Sequence, residues 1–316
     1  MEININYRGF TLDPFQVQAI QQIEGGNSLV VSAPTGSGKT LIAEYLIEKV
    51  LQTDRRIIYT SPIKALSNQK YRDFSLMYGE RIGILTGDVV INREAQVLIM
   101  TTEVYRNMAV EDPDVIKDVS YVIFDEIHFL GDIERGTVWE EAIIFSPKTV
   151  KFLALSATIP NCEEFARWIE SVVDHKVSVI SSDHRSVPLS HLFYFRGKLL
   201  QLKELHRQVN KTEDSSQPTS ARGEKKSGEK DSRTLDIVKI LRAQDRLPLL
   251  YFAFSRSLVD HMARETSHFF DFTNKAEKAR IIELADGCID KYGLHNLESA
   301  LELKDVLVNG VGKHRG

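Results

Sequence analysis

The residues best suited to chemistry form a glycine-rich loop between an apolar run and an amphipathic run. Residues 33–40 read APTGSGKT, directly after SLVVS and at the start of TLIAEYLIEKVL. Glycines in such a loop let backbone N–H groups close around phosphate oxygens, and the helix N-terminus adds its positive dipole end. Lys39 would neutralise the β and γ phosphates of a nucleotide, and the Thr40 hydroxyl would ligate Mg²⁺. The predicted nucleotide-binding residues of this loop are Ala33, Pro34, Thr35, Gly36, Ser37, Gly38, Lys39 and Thr40.

Two carboxylates follow a second apolar run, YVIFD at residues 121–125. The carboxyl ends of parallel strands border the crevice in which such sheets bind ligands, so Asp125 and Glu126 would reach the phosphates. We expect Asp125 to hold Mg²⁺ and Glu126 to polarise the attacking water, with His128 in the same catalytic set. On its own, an acidic pair is commonly a solvated strand end and a lone histidine a satisfied polar residue. The phosphate loop earlier in the chain favours the catalytic interpretation.

Two weaker patterns add candidate residues to this site. Near the beginning of the sequence, Phe10 and Gln16 could bind adenine by stacking and through the side-chain amide. Without the other motifs, the same stretch is a helix start, with Asp13 as N-cap and Pro14 at the first helical position. At the end of the run KFLALS, small hydroxyl-rich residues could couple the nucleotide crevice to a neighbouring domain, namely Ser156, Ala157 and Thr158.

The elements that must position these residues alternate strand and helix patterns. Apolar runs rich in Val, Ile and Leu predict strands at residues 28–32, 56–60, 96–100, 121–125, 151–156 and 176–180. Between them, apolar residues three and four apart predict helices that cover a parallel sheet on both faces. The predicted fold class is therefore α/β, doubly wound.

A polar stretch interrupts this alternation. From Gln208 to Arg233 there are five Ser, six Lys or Arg and five Asp or Glu. Such a segment has little apolar surface to offset its ordering entropy, which predicts a mobile insertion or linker. A helix TLDIVKILRAQ, a strand PLLYFAF at residues 248–254, a helix from about Ser257 and a helix at residues 297–308 then predict the start of a second α/β unit.

Composition limits the classes of protein that fit. The 316 residues, 42% apolar and 27% charged, provide material for two globular cores. A net charge of -4 gives no general basic field, so a nucleic-acid site would be a local track. Cys162 and Cys288 are too few for a disulfide framework or a zinc cluster, and we interpret both as reduced thiols. No apolar run approaches the roughly 18 residues of a membrane span, which predicts a cytoplasmic protein without a membrane partner.

Six further motifs, spread along the chain, resemble those of a known family. They are YTSPIKALSNQKYRDF (59–74), LTGD (85–88), MTTEVYRNM (100–108), RGTVWEEAIIFSP (135–147), LSATIPN (155–161) and YFAFSR (251–256). With APTGSGKT and DEIH, they resemble the motifs of superfamily-two DExH-box helicases of the Ski-like class, the superkiller and exosome-cofactor RNA helicases. The resemblance runs from about Phe10 to Gly316, and this family accepts alanine at the position of Ala33.

The resemblance implies an architecture and a motor. Two RecA-like (P-loop NTPase) parallel-sheet domains would close on ATP and Mg²⁺ and move 3′ to 5′ along a single strand, with RNA favoured over DNA. The first domain would span residues 1–190, a connector with the polar insertion residues 191–234, and a partial second domain residues 235–316. A partner in an exonuclease complex is implied by the resemblance alone.

The predicted nucleic-acid contacts lie at helix starts after strand edges. There, hydroxyl, ammonium and amide groups could donate to phosphates without a strong net charge, although an ordinary solvated helix start is the alternative. The resemblance favours backbone contacts from Ser61, Pro62, Lys64, Asn68, Gln69, Gly87, Asp88, Thr101, Thr102 and Glu103.

The second unit departs from the family pattern. The Gly-Arg-x-Gly-Arg element whose arginines complete the family's ATP site does not occur, and GVGKHRG at residues 310–316 stands where the family has GIGxHHxG. We therefore expect an incomplete helicase core that binds ATP but turns over and unwinds weakly. Two alternatives remain: a DNA helicase of the same build, and a nucleotide-gated binding or scaffold protein without turnover.

Overall fold

The computed structural model describes residues 6–132, 135–185, 187–213 and 228–314. The chain divides into two compact units, Met1–Leu189 and Ser190–Gly316. This division falls in the segment that follows the last strand of the large sheet. The domain limits drawn from the sequence stay a prediction.

The first unit alternates strands and helices along the chain. Its strands are β1 (Asn6–Tyr7), β2 (Phe10–Thr11), β3 (Ser28–Ser32), β4 (Arg56–Ser61), β5 (Ile82–Leu85), β6 (Val90–Ile91), β7 (Val97–Thr101), β8 (Val119–Phe124), β9 (Lys151–Ser156) and β10 (Val177–Ser181). Its α-helices are α1 (Pro14–Glu24), α2 (Lys39–Val50), α3 (Lys64–Tyr78), α4 (Thr102–Glu111), α5 (Thr137–Ile144) and α6 (Cys162–Val173). The six strands predicted for this unit are confirmed as β3, β4, β7, β8, β9 and β10.

Eight of these strands form one sheet, in the order β10-β3-β9-β8-β4-β7-β5-β6. Neighbouring strands run parallel, except that β6 pairs antiparallel with β5. The phosphate loop follows β3 and the two carboxylates follow β8, with β9 between these strands. The predicted α/β class is confirmed, and the parallel order brings the candidate residues to one edge of the sheet.

A separate core lies on each face of this sheet. One contains residues of α1, α2 and α3, including Ile42 and Phe74, and the other contains residues of α4, α5 and α6, including Tyr105 and Trp139. All four side chains are buried. Burial of a large apolar side chain contributes about 1.5–3 kcal/mol, so both faces anchor the strands. Cover on both faces explains why the strand sequences show little polar alternation.

Sequence reasoning missed β5 and its neighbour β6. The strand β5 is only IGIL, and Gly83 removes a side chain from its middle, which weakens the strand pattern. Glycine is required there, because a Cβ at Gly83 would lie 2.1 Å from the carbonyl oxygen of Asn92. The close packing of Gly83 against the Asn92 backbone therefore requires a glycine, and this glycine weakens the strand pattern in the sequence.

The second unit is mainly helical in the part of the chain that the structure describes. An antiparallel hairpin of β11 (Phe193–Phe195) and β12 (Lys198–Leu200) precedes α7 (Leu202–Glu213), α8 (Gly228–Ala243), α9 (Arg256–Phe269), α10 (Lys275–Tyr292) and α11 (Glu298–Val308). The helices predicted over residues 234–244, from Ser257 and over residues 297–308 are confirmed, whereas α10 was missed. In neither unit is a described helix long and apolar enough to cross a lipid bilayer.

The strand predicted at residues 248–254 is wrong. These residues are in no regular strand, and Phe252 and Phe254 are almost fully exposed. A strand is stabilised by hydrogen bonds to a neighbouring strand. Among the described residues of this unit, the strands β11 and β12 pair only with each other. The assignment of residues 235–316 to a partial second RecA-like domain stays a prediction.

The polar stretch predicted to be mobile is helical at both ends. The helix α7 continues through Gln208 to Glu213, and α8 includes residues from Gly228 to Arg233. Glu, Lys, Arg and Gln have high helix propensity, so these residues can form helices although they provide little apolar surface. The rest of the predicted segment, residues 214–227, lies outside the described residues.

Candidate nucleotide site and nucleic-acid interface

The phosphate loop joins β3 to α2 at the carboxyl edge of the sheet. Its backbone passes through Gly36 and Gly38 with φ angles of 81° and 78°, in the left-handed region that favours glycine. A Cβ on Gly38 would also lie 2.7 Å from Nε2 of Gln16. Because α2 begins at Lys39, its first backbone N–H groups face the loop. The strand, loop and helix predicted from the sequence are all present.

Lys39 is held against the loop by two carbonyl groups. Its Nζ donates to Ala33 O at 2.7 Å and to Pro34 O at 3.0 Å. Burial lowers the pKa of Lys39, while the negative charges of Glu126 and Asp125 oppose that shift. Both carboxylates are therefore close enough to act on the charge of Lys39, and the structure brings three of the four predicted catalytic residues together.

Asp125 and Glu126 have different partners. Asp125 accepts a hydrogen bond from the Tyr59 hydroxyl through Oδ2 and one from the backbone N–H of Glu126, at 3.0 Å, through Oδ1. Glu126 has a left-handed backbone with φ 52°, a conformation that is uncommon for a residue with a side chain. Its Oε2 lies 3.3 Å from Nδ1 of His128. Asp125 is thus fixed by neutral donors, whereas Glu126 is paired with an imidazole.

Tyr59 is a site residue that sequence reasoning missed. It lies on β4 and is fully buried, and its ring packs edge-on against Phe74 at 5.4 Å between ring centres. Burial raises the pKa of Tyr59 well above its usual value, and the charge of Asp125 adds to the shift. The hydroxyl therefore stays protonated and available to donate to Asp125. The signal in the sequence was its place at the start of the motif over residues 59–74.

Gln16 supports the phosphate loop through hydrogen bonds to two of its carbonyl groups. Its Nε2 donates to Gly38 O at 3.0 Å and to Ser37 O at 3.3 Å, and its Oε1 accepts from Asp13 N at 2.9 Å. The side chain is 4% exposed, so its amide is already occupied inside the protein. Phe10 is 59% exposed and lies on the β1–β2 hairpin. The adenine contacts of Phe10 and Gln16 stay a prediction.

The residues present fit a magnesium nucleotide. Mg²⁺ prefers oxygen ligands and is usually held by one or two carboxylates together with phosphates and water. Thr40 and Asp125 supply a hydroxyl and a carboxylate. Ser37 Oγ, in the loop itself, is buried without a hydrogen-bond partner among the described residues, as expected of a group that a ligand completes.

Residues 155–161 are fastened to the strand that carries the phosphate loop. Ser156 O accepts from Ala33 N at 3.2 Å, and Ser32 Oγ accepts from Ile159 N at 3.1 Å. Ser32 Oγ also lies 3.5 Å from Ala157 O. Ser156 Oγ is buried and has no partner in the described ranges, while Thr158 is exposed. Ser32 was not predicted, because its role depends on contacts with residues more than 120 positions later in the chain.

Part of the predicted nucleic-acid track is exposed on one surface. Lys64, Asn68 and Gln69 are exposed on the first half of α3. Lys64 forms an ion pair with Asp88 at 2.5 Å, and its Nζ is the atom nearest to a Cβ built on Gly87. The structure therefore brings together residues from two of the predicted motifs, at 59–74 and 85–88.

Three predicted hydroxyl donors face the interior instead. Ser61, Thr101 and Thr102 are 0%, 5% and 0% exposed. Ser61 Oγ is 2.6 Å from Ser67 Oγ, and Thr102 Oγ1 lies 3.5 Å from Ser61 O. Ser61 and Thr101 end the strands β4 and β7, and Thr102 is the first residue of α4. Their side chains are buried in the protein, so contacts to a bound strand at these positions would have to come from backbone groups.

Arg135 connects two of the predicted motifs. Its Nη2 donates to Pro62 O at 2.6 Å and pairs with the Glu103 carboxylate, and the guanidinium lies 5.9 Å from the centre of the Trp139 ring. Pro62 and Glu103 were predicted as nucleic-acid contacts, whereas Arg135 was not. Its position at the start of the motif over residues 135–147 was the available signal.

The family follows from this arrangement and from its sequence. Residues 13–165 match the DEAD/DEAH box helicase family, and this range includes the phosphate loop, the two carboxylates and the segment fastened to β3. Residues 13–165 are therefore a DEAD/DEAH box helicase domain.

Curated relatives match nearly the whole chain. It is 37% identical to mRNA transport homolog 4 of Caenorhabditis elegans, over 98% of the chain, and 38% identical to Superkiller complex protein 2 of Homo sapiens, over 96%. It is 39% identical to Exosome RNA helicase MTR4 of Homo sapiens, over 97%. The chain spans 31%, 26% and 31% of these three proteins. The predicted resemblance to the Ski-like class is confirmed.

One solved structure supports the fold alone. The DUF1998 helicase MrfA, in a crystal structure with DNA and AMPPNP, aligns with 85% of this chain and 38% of its own, with a TM-score of 0.59. The identity is 17%, so only the arrangement of elements is shared.

Proposed function

We propose that this protein is an ATP-dependent helicase that couples ATP hydrolysis to movement along a single nucleic-acid strand. The observation that carries the proposal is the proximity of Lys39, Asp125 and Glu126 beside a loop whose buried Ser37 hydroxyl has no hydrogen-bond partner among the described residues. A fixed cation, a loop of backbone donors and two carboxylates are the groups that phosphoryl transfer requires.

Each residue would have a separate role in the reaction. Lys39 would exchange its bonds to Ala33 O and Pro34 O for phosphate oxygens. Thr40 and Asp125 would hold Mg²⁺, which supplies charge neutralisation of the phosphates when bound. Glu126 would accept the proton of the attacking water, and His128 would orient the Glu126 carboxylate from 3.3 Å.

The segment over residues 155–161 would couple this chemistry to the rest of the motor. Ser156, Ala157 and Ser32 link it to the phosphate-loop strand by the bonds described above. A change in the loop on nucleotide binding would therefore be transmitted to Thr158, which is exposed and available to a neighbouring domain. Hydrogen-bond networks and packed side chains of this kind can carry such coupling.

The nucleic-acid substrate in this proposal is RNA, with movement from 3′ to 5′. Support comes from the relatives named as RNA helicases and from the exposed donors Lys64, Asn68 and Gln69, which suit phosphate and sugar contacts without reading bases. An exonuclease-complex partner and a cytoplasmic location belong to the same proposal and rest on the family resemblance and the sequence. Weak turnover by the 316-residue chain alone is also proposed, since the Gly-Arg-x-Gly-Arg element is not in the sequence.

Nucleotide turnover with matched strands tests this function. ATP hydrolysis is measured with no nucleic acid, with single-stranded RNA and with DNA of the same sequence, at two salt concentrations. We expect low hydrolysis that RNA stimulates more than DNA, with weaker stimulation at high salt because counterion release then contributes less to binding. Preference for DNA would support the DNA-helicase alternative, and ATP binding without any turnover would support the scaffold alternative.

A further inference from the structure

Lys70 links the nucleotide site to the helix that carries the predicted nucleic-acid contacts. Its Nζ donates to Thr40 Oγ1 at 3.3 Å and lies 5.7 Å from the centre of the Tyr59 ring. Tyr59 in turn donates to Asp125. Lys70 therefore contacts Thr40, one of the two residues that would hold a metal ion, and lies beside Tyr59, which donates a hydrogen bond to the other, Asp125.

The contact between Lys70 and Thr40 is weak enough to be exchanged. Hydrogen bonds from a charged nitrogen are usually about 2.7–2.9 Å when the acceptor is also charged, and this one is longer and ends on a neutral hydroxyl. Glu44 is a second possible acceptor, because it lies four residues after Thr40 and therefore on the same face of α2, one turn further along. Burial raises the pKa of Glu44, and the positive charges of Arg8 and Lys70 oppose that rise.

Thr40 Oγ1 is a poor site for two cations at once. A divalent ion on this oxygen would repel an ammonium group that shares it, and the repulsion is strong in a half-buried crevice. Glu44 already accepts a hydrogen bond from Arg8 Nη1 at 2.9 Å, so its carboxylate is held in place as an alternative partner. The geometry thus offers Lys70 two positions, one on Thr40 and one toward Glu44.

We propose that Lys70 is a positioning residue that competes with Mg²⁺ for the Thr40 hydroxyl and transfers to Glu44 when a magnesium nucleotide binds. This proposal rests on the proposed nucleotide site. Lys70 lies on α3 together with Lys64, Asn68 and Gln69, so its transfer acts on the element that carries these exposed donors. Nucleotide occupancy is thereby communicated to the predicted nucleic-acid surface through one helix.

A magnesium titration of nucleotide binding tests the competition. The full chain is mixed with a fluorescent ADP analogue, and binding is followed in EDTA and at increasing Mg²⁺. Lys70→Met and Lys70→Gln should each lower the Mg²⁺ concentration of half-maximal binding by about threefold to tenfold, the factor that one hydrogen bond contributes in water. Nucleotide affinity in EDTA should stay within about twofold of the wild type, because Lys70 bonds the protein and not the phosphates.

Two controls isolate the charge of Lys70. Lys70→Arg keeps the cation, and Lys148→Met removes an exposed cation from the loop before β9, at the opposite edge of the sheet. Both should leave the Mg²⁺ half-point within about twofold of the wild type. An unchanged half-point in both charge-removing variants, or weaker binding in EDTA, overturns the competition. A wild-type chain that binds no nucleotide overturns the proposed function and this inference with it.

The link to nucleic acid is tested by repeating the titration with single-stranded RNA. By thermodynamic reciprocity, RNA must shift the wild-type Mg²⁺ half-point if the two sites are coupled. We expect that shift to be at least halved, on a logarithmic scale, in Lys70→Met. A shift of equal size in both proteins, or no shift in the wild type, overturns the role of Lys70 in coupling while leaving the nucleotide site intact.

Discussion

Lys39 bonds two loop carbonyls, so its charge is preorganised beside the phosphates that it would bind. Lys39→Ala should weaken binding of a fluorescent ATP analogue by about 30-fold or more, because a half-buried charge-assisted contact is worth about 2–3 kcal/mol. Lys49→Ala, at the far end of the same helix, should bind ATP like the wild type. Unchanged affinity in the Lys39 variant would show that the phosphates bind elsewhere.

Glu126 should be separable from Lys39 by its effect on chemistry alone. Glu126→Gln removes the proton acceptor but leaves Asp125 with its bonds from Tyr59 and from the Glu126 backbone. We expect nucleotide affinity within about threefold of the wild type and hydrolysis slowed by about 10²–10⁴, the usual contribution of a general base. Equilibrium binding and single-turnover hydrolysis measure the two effects. Loss of binding in this variant would contradict the division of roles between the two carboxylates.

At the scale of residues, the sequence predicted the side chains that belong to distinctive motifs and missed the residues that position them. Lys39, Asp125 and Glu126 lie together because their motifs follow β3 and β8 at the same edge of a parallel sheet, with β9 between these strands. Tyr59 and Lys70 could not be assigned, since their roles depend on contacts between strands and helices far apart in the chain. Ser61 was given an outward hydroxyl because sequence spacing does not report how deeply helices cover a strand end.

Gln16 joins the helix α1 to the phosphate loop through its hydrogen bonds to Ser37 O and Gly38 O. If Gln16 braces the loop, Gln16→Ala should weaken ATP and GTP binding equally, by about threefold to tenfold, because both carbonyl bonds are lost whatever the base. If Gln16 reads adenine, only ATP binding should weaken. Affinities for both nucleotides are measured for Gln16→Ala and for Gln18→Ala, an exposed neighbour on α1 that should change neither.

At the scale of elements, the sequence predicted what periodic apolar patterns report. The strands β3 and β9 were found at their full extent, since each is a continuous apolar run on a sheet that is covered on both faces. The short strand β5 was not predicted, because Gly83, which close packing requires, interrupts its apolar pattern. The run at residues 248–254 reads as a strand for the same reason that β3 does, yet a strand also requires a neighbour, and local pattern cannot report one.

At the scale of the whole molecule, the two units contribute differently to the proposed motor. The phosphate loop, the carboxylates and the segment fastened to β3 all belong to the unit Met1–Leu189. The described part of the second unit provides helices and one hairpin, with Leu250, Phe252 and Phe254 exposed. ATP binding therefore depends on elements that are all in place, whereas unwinding needs a second grip that moves relative to the first.

We predict that the 316-residue chain binds ATP but does not displace a strand on its own. An arginine supplied to the transition state is worth about 10³–10⁵ in kcat in related phosphoryl transfers, and the family's Gly-Arg-x-Gly-Arg element is not in this sequence. The test is a strand-displacement assay on an RNA duplex with a 3′ overhang, with and without ATP, after nucleotide binding has been verified for the same preparation. We expect displacement no faster with ATP than without it. Robust ATP-dependent displacement would contradict this prediction and would show that another residue of the chain supplies the missing charge.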